Sequence, residues 1–378
     1  MVSNKKIIIA AVLLAALLSA IFAYYKHNQP APTQLADITF PFVFGRFQIP
    51  QDNPLTLESI KLGRRLFYDP RLSSNNKVSC ATCHKQHLAF TDGLSRSVGV
   101  SGKPLKFNAM SLSNLLWGPQ HFFWNGRSPS LEDQALQPIQ HMDEMGQDLN
   151  ELIDELEQDE TYQVLFKQAY GSINSIAIAN ALANFQRTLI SSNSKYDQYL
   201  RGEVLLTPLE ELGRKLFTAH PDTKASLRGG NCIDCHSQFL TSGFSTFYDG
   251  FSNNGLNSDD DLPAGLFSVT GKEEHRGLFK TPTLRNIAVT GPYMHDGRFE
   301  TLAEVLQHYN GGIKRSKTLS PLIAEADNSP KAQQDHISLN LTPDEEKAII
   351  AFLHTLTDES FLTNKQFSNP FNEDNEHE

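Results

Sequence analysis

The chain has 378 residues, enough for two domains with a core each. Its net charge is −10 and it has no dense run of Lys or Arg, so it lacks the electrostatic footprint of a nucleic-acid-binding protein. The hydrophobic content, 39%, is ordinary for a soluble protein, and the acidic balance is both a common solubility device and a surface that suits a basic partner.

At the N-terminus, Lys5 and Lys6 precede an uncharged run over residues 7–25, followed by Lys26. That run is close to the ~20 residues that span a bilayer, and Tyr24 and Tyr25 are an interfacial aromatic pair. No A-x-A-like exit follows. Residues 1–28 therefore read as an uncleaved anchor with its N-terminus inside, in preference to a cleaved signal. Either reading puts the body of the chain in the periplasm. Residues 29–53, rich in proline and polar side chains, read as a linker.

Thr56-Leu57-Glu58-Ser59 opens a helix with Thr56 as N-cap, and Ile60, Leu62, Leu66 and Phe67 give it an apolar face before Tyr68-Asp69-Pro70 stops it. A short loop leads to Cys80-Ala81-Thr82-Cys83-His84. The same order returns later. Thr207-Pro208-Leu209-Glu210 is a capping box with proline at the first helical position, Leu212-Gly213-Arg214-Lys215-Leu216-Phe217 repeats Leu62-Gly63-Arg64-Arg65-Leu66-Phe67, and Cys232-Ile233-Asp234-Cys235-His236 follows. This is an internal repeat, and it predicts an all-α fold of two cytochrome c-like domains in tandem.

Between the repeats, residues 149–156, 162–170 and 176–190 carry apolar side chains at helical spacing and read as core helices. Residues 248–263 read as a loop and 314–335 as a polar, proline-punctuated insertion. Thr342-Pro343-Asp344-Glu345 caps a last helix through Phe352 and Leu353, and the acidic tail from Asn372 reads as disordered. The domain limits are 54–200 and 201–355, with a tail over 356–378.

C-x-x-C-H is the spacing of covalent c-type haem attachment: each thiol adds to a haem vinyl group and the histidine is held beneath the ring, where it can ligate iron. Cys80, Cys83, Cys232 and Cys235 are the only cysteines of the chain. One four-cysteine zinc site would use the same thiols, but it does not call for a histidine in the same place twice. The expectation is two c-type haems, with no thiol left for a disulfide.

With both motifs placed, the chain resembles the bacterial di-haem cytochrome c peroxidase and MauG family from about residue 54 to 371. The resemblance rests on residues 62–72, Phe123-Trp124-Asn125-Gly126-Arg127, Ser130-Leu131-Glu132-Asp133-Gln134-Ala135, Pro282-Thr283-Leu284-Arg285-Asn286 and Pro292-Tyr293-Met294-His295-Asp296-Gly297. It implies a first haem that reacts with hydrogen peroxide and a second that transfers electrons. The tail returns to the first domain. Position by position, it implies His84 and His236 as proximal iron ligands, Trp124 between the haems, and Gln134 and Glu144 in the distal pocket. Asn108, Thr290 and Pro292 match an inter-haem Ca2+ site, the last two through carbonyl oxygens, and calcium takes such hard ligands.

Two positions depart from the ordinary peroxidases of that family. Val100 stands where those needing reductive activation carry a blocking histidine; His87 is a rival only if it leaves the surface. Tyr309, seven residues after Leu302, stands where they carry an axial methionine, and MauG-like members have tyrosine there. An anionic phenolate lowers an iron's potential. Met294 and His308 are rival ligands, though on a helix His308 points about 100° away from Tyr309. The implied activity is peroxide reduction with electrons from a small cytochrome or cupredoxin. The alternatives are a MauG-like oxidation of a side chain on a partner protein and a di-haem electron carrier. With Trp117 and Trp124 the only tryptophans, a relay to the surface through the second domain would need a tyrosine.

Overall fold

The computed structural model describes residues 50–374 except 118–120, 222–226, 238–249 and 330–336, together with scattered residues between 35 and 49. The proposed anchor and most of the linker lie outside the described residues. Among those residues, no helix is long and apolar enough to cross a membrane.

The labelled helices are α1 Leu57–Tyr68, α2 Leu131–Gln140, α3 Leu149–Glu157, α4 Glu160–Ala169, α5 Ser175–Arg187, α6 Lys195–Leu200, α7 Pro208–Thr218, α8 Leu302–Gln307 and α9 Pro343–His354. Shorter turns join them. The chain is largely helical, and among the described residues its one sheet is a two-residue antiparallel ribbon, β1 Phe251–Ser252 with β2 Phe279–Lys280.

Two hydrophobic cores form around the two copies of the repeat. In the first, Thr56 caps α1 by accepting from Ser59 N, and the Ser59 hydroxyl reciprocates toward Thr56 N. Leu62, Leu66 and Phe67 are thereby turned onto α5, where Phe67 and Phe185 pack edge to face at 5.2 Å. In the second, Thr207 and Glu210 cap α7, Thr342 and Glu345 cap α9, and Phe217 packs on Phe352. Both helix pairs cross at a glycine. A β-carbon on Gly63 would lie inside the contact radius of the Ala181 carbonyl, and one on Gly213 inside that of Ala348. The bare glycines let the backbones approach to near contact.

The segment between the cores is tied at both ends. Asp358 accepts from Ser192 N and Asn193 N at 2.8 Å each, while its own N–H donates to Asn286 Oδ1. Arg285 and Asp197 form a fully buried ion pair. The chain then returns to the first core: Phe361 packs on Phe90, Tyr68 Oη donates to Phe367 O at 2.6 Å, and Arg64 donates to Ser368 O.

Three sequence expectations change. The 248–263 stretch contributes β1, because its backbone pairs with residues distant in sequence. The 314–335 insertion contains the helical turn Pro321–Glu325, opened by its proline. The tail is helical over Pro370–Asp374, where the Phe371 ring lies 4.4 Å from the Arg65 guanidinium.

Gly63→Ala is expected to force α1 and α5 apart and destabilise the protein by about 3 kcal/mol, the upper part of the overpacking range. Thermal unfolding of the two purified proteins checks this.

Candidate active site

Each C-x-x-C-H motif closes a single helical turn. Cys80–Cys83 is capped by Ser79 and Thr82, and His84 N donates to Cys80 O at 2.9 Å. Cys232–Asp234 turns more tightly, and His236 N donates to Cys232 O, also at 2.9 Å. The imidazoles are then oriented by carbonyls. His84 Nδ1 lies 2.7 Å from Phe90 O, an acceptor presented by the left-handed residues Ala89 and Phe90. His236 Nδ1 lies 3.1 Å from Pro282 O. Burial disfavours the charged form of both rings and lowers His236 to about 4. A neutral imidazole donating through Nδ1 keeps its Nε2 lone pair for a metal. Burial also keeps the thiols protonated, Cys80 and Cys232 to about 12, Cys83 and Cys235 to about 11.

A cavity of about 760 Å³ opens beside His84, with Cys80, Cys83, Trp124, Gln134 and Glu144 among its walls. Gln134 Oε1 is buried with no hydrogen-bond partner. Burial raises the Glu144 carboxyl above the usual range, opposed by His141 and by Arg127, whose nearest nitrogens lie 3.8 and 3.9 Å from Oε1. The Arg127 guanidinium lies flat against Phe123 and donates to Gln137 Oε1. Val100 N donates to Glu144 O at 2.8 Å, so the Val100 backbone is pinned to the distal loop. His87 is exposed on the turn Gln86–Leu88 and does not line the cavity.

Trp124 is buried, donates through Nε1 to Asn108 O at 2.9 Å, and lines both this cavity and an adjoining one of about 70 Å³. Asn108, Thr290 and Pro292 all border the smaller cavity, as does Met294. Asn108 Nδ2 donates to Leu94 O, which keeps Oδ1 as an acceptor.

On the second side, α8 widens into a π-turn over His308–Gly312, a geometry frequent at functional sites. The regular 100° spacing therefore does not apply there. The His308 ring lies 5.1 Å from the Tyr309 ring, and its Nε2 is engaged by Asn254 O at 2.9 Å. The Asn254 amide approaches both Tyr309 Oη, at 3.3 Å, and Met294 Sδ, at 3.4 Å. Burial raises the Tyr309 phenol, and the nearby Cys235 and Cys232 push the same way. The side chains that line or shape the two sites but that sequence reasoning did not single out are His141, Asn254 and Lys280; Arg127 stands in a stretch that carries the resemblance, but without a role. Each of the first three is polar and isolated in sequence, so no local pattern marks it.

Residues 57–204 match the family model for di-haem cytochrome c peroxidase. The chain is 37% identical over 311 residues to the methylamine utilization protein MauG of Methylorubrum extorquens, covering 81% of this chain and 80% of that protein. It belongs to the di-haem cytochrome c peroxidase and MauG family. It is also 31% identical over 308 residues to the cytochrome c551 peroxidase of Nitrosomonas europaea, covering 80% and 81%. A solved MauG-like protein associated with microbial copper homeostasis aligns with TM-score 0.78 and 34% identity over 89% of this chain and 99% of that one. This protein is accordingly an oxidoreductase of the peroxidase type.

Membership implies two c-type haems, and the residues fit them. Two thiol pairs, two neutral histidines with Nδ1 engaged, and an unpartnered Gln134 oxygen facing a large cavity are what such groups require. For a cation the signal is thinner. Among the described residues no group of three or more His, Cys, Asp or Glu is placed to hold a metal, and Asn108, Thr290 and Pro292 share the lining of the smaller cavity with other oxygen-bearing residues.

The intact mass of the purified protein is expected to exceed the polypeptide by two haems, with no thiol open to alkylation under denaturing conditions. One haem, or stoichiometric zinc, contradicts the fit.

Proposed function

We propose that the protein reduces hydrogen peroxide at the site of His84, Gln134 and Glu144, drawing electrons through the site of His236 and Tyr309. The observation that carries this reading is the placement of Glu144. A carboxyl held above the usual carboxylate range by burial shares one cavity with His84 and Gln134, and the adjoining wall is Trp124.

When bound, the first haem supplies an iron with a coordination position and electrons for the peroxide; the chain supplies positioning and protons. His84 offers Nε2 because Phe90 O holds Nδ1. The Glu144 carboxylate accepts the proton of one peroxide oxygen and returns it to the other as the O–O bond breaks. That transfer stays within the peroxide and releases one water; two further protons and two electrons convert the remaining oxygen to the second. Gln134 can hydrogen-bond the same oxygens. Arg127 and His141 favour the ionised form of Glu144, so the base is regenerated despite burial. Val100 brings no ligand to the distal position, which suits a site open in the resting state. Trp124, in a wall common to both cavities, offers a short aromatic path between the two sites.

A second reading is supported by Tyr309. A buried phenol close to Cys232 and Cys235 favours a MauG-like enzyme that takes its electrons from a side chain of a partner protein. In the first reading the donor is a small cytochrome or cupredoxin. We place the body of the chain in the periplasm, where c-type haem is attached, secreted or tethered by residues 1–28. We also assign Asn108, Thr290 and Pro292 to a Ca2+ that steadies the wall between the sites. The tandem cytochrome c-like organisation is supported by two cores that repeat one helix crossing.

The test is stoichiometric peroxide added to the resting oxidised protein without reductant. The first haem is expected to be high-spin ferric by electron paramagnetic resonance and to react directly. Glu144→Gln should slow that reaction by about 10²–10⁴-fold, the range of a general acid–base group, and the wild-type rate should fall as acid protonates Glu144. A purely low-spin resting state that reacts only after half-reduction refutes the reading.

Tyr309→Phe is expected to change the absorption spectrum and raise the potential of the second haem. An unchanged second haem would assign the ligand to another residue, with Met294, brought to the same Asn254 amide, the first to examine.

A further inference from the structure

Lys280 is a buried charged residue with no counter-charge among the described residues. It is 5% exposed, in β2, in the wall that the two cavities share. Its backbone N–H donates to Trp124 O at 2.9 Å, which ties the two backbones together. Its ammonium lies 5.0 Å from the centre of the Phe122 ring. Among the described residues no carboxylate, carbonyl or hydroxyl hydrogen-bonds or ion-pairs with Nζ, and burial alone lowers the group to about 7. Arg127, which lines the larger cavity, differs: its guanidinium is committed to Gln137, Phe123 and Glu144.

A buried ammonium without a counter-charge is costly, and proteins keep one when something pairs with it. Phe122 offers a ring face, which attracts a cation but does not neutralise it. Peroxide is neutral. The anionic groups that belong in this cavity are the two propionate carboxylates every c-type haem carries. We propose that Lys280 is the counter-cation of a propionate of the haem held by Cys80, Cys83 and His84, and that it keeps that carboxylate ionised. This makes Lys280 a positioning and charge-setting residue, not a catalytic one. The inference rests on the two-haem reading of the site and not on peroxide chemistry.

The consequence concerns the potential of the first haem, which local charge and hydrogen bonding tune. With Lys280 present, the ion pair is neutral and its protonation does not change across the neutral range. Without it, a carboxylate is left buried and uncompensated, so desolvation raises its pKa into that range. Below that pKa it binds a proton and is neutral. Above it the bare negative charge stabilises ferric iron. The potential of the first haem must then fall more steeply as pH rises.

The experiment is a spectroelectrochemical titration of the haem-loaded protein over the neutral range, for wild type, Lys280→Met and Lys280→Arg. Lys280→Met removes the charge and keeps the length, and should steepen the fall of the first haem's potential while leaving the second haem's slope alone. Lys280→Arg restores a cation and should return the wild-type slope. In parallel, protein carrying haem labelled with 13C at the propionates is examined by infrared spectroscopy. The label separates these carboxyls from Glu144 and from every other side chain. Wild type should show only ionised labelled carboxylates at neutral pH, and Lys280→Met should add a protonated one. An unchanged slope in Lys280→Met, a change confined to the second haem, or a protonated first-haem propionate in wild type overturns the proposal; the last needs no variant to fold. A wild type inert to peroxide would sink the peroxidase reading and leave this one standing.

Discussion

Two helix crossings hold the rest of the structure in place. α1 meets α5 at Gly63, and α7 meets α9 at Gly213, each so closely that a side chain on the glycine would overlap a carbonyl of its partner. Close approach lets Leu62, Leu66 and Phe67, and later Leu216 and Phe217, reach across into the facing helix. Interiors packed at crystal-like density do not slide. The loop that follows each first helix therefore leaves at a fixed height, and the C-x-x-C-H turn it carries faces inward. The repeat in the sequence is thus a repeat of one mechanical device.

The histidines show how little the local motif does alone. One helical turn aims the two thiols and the imidazole in one direction, but the ring is oriented from elsewhere. For His84 the acceptor is Phe90 O, six residues on, in a left-handed turn. For His236 it is Pro282 O, far along the chain. The same hydrogen bond is made by a local device in one copy and by a long-range one in the other. Both leave a neutral ring with Nε2 available, which is the state an iron ligand needs.

Between the cavities the chain places Trp124 and Lys280, and among the described residues no carboxylate lines both. Trp124 is fixed from both sides, by its indole N–H to Asn108 O and by its carbonyl to Lys280 N. Two hydrogen bonds on one residue leave it little freedom. The ties at Asp358 and at the buried Arg285–Asp197 pair serve the same end at a larger scale: they hold the connecting segment, so the shared wall is not left to one loop.

What the sequence determined by itself was whatever has a short period or a fixed spacing. Capping residues, apolar faces and the duplicated motif are local, and Thr56, Thr207 and Thr342 stand where their helices begin. Two haems follow from thiol spacing and from family membership. Tertiary structure decided everything that depends on backbone meeting backbone across a long stretch of chain. The β1–β2 ribbon pairs segments about 28 residues apart, which no periodicity announces. Tyr309, in the π-turn, and Met294, well before it in the chain, meet at one Asn254 amide. Glu144 stands out in the sequence only through the family resemblance, and no local pattern marks Lys280. Folding buries Lys280 and leaves the Glu144 side chain only 22% exposed, and a charge taken out of water answers to what surrounds it, not to its neighbours in sequence.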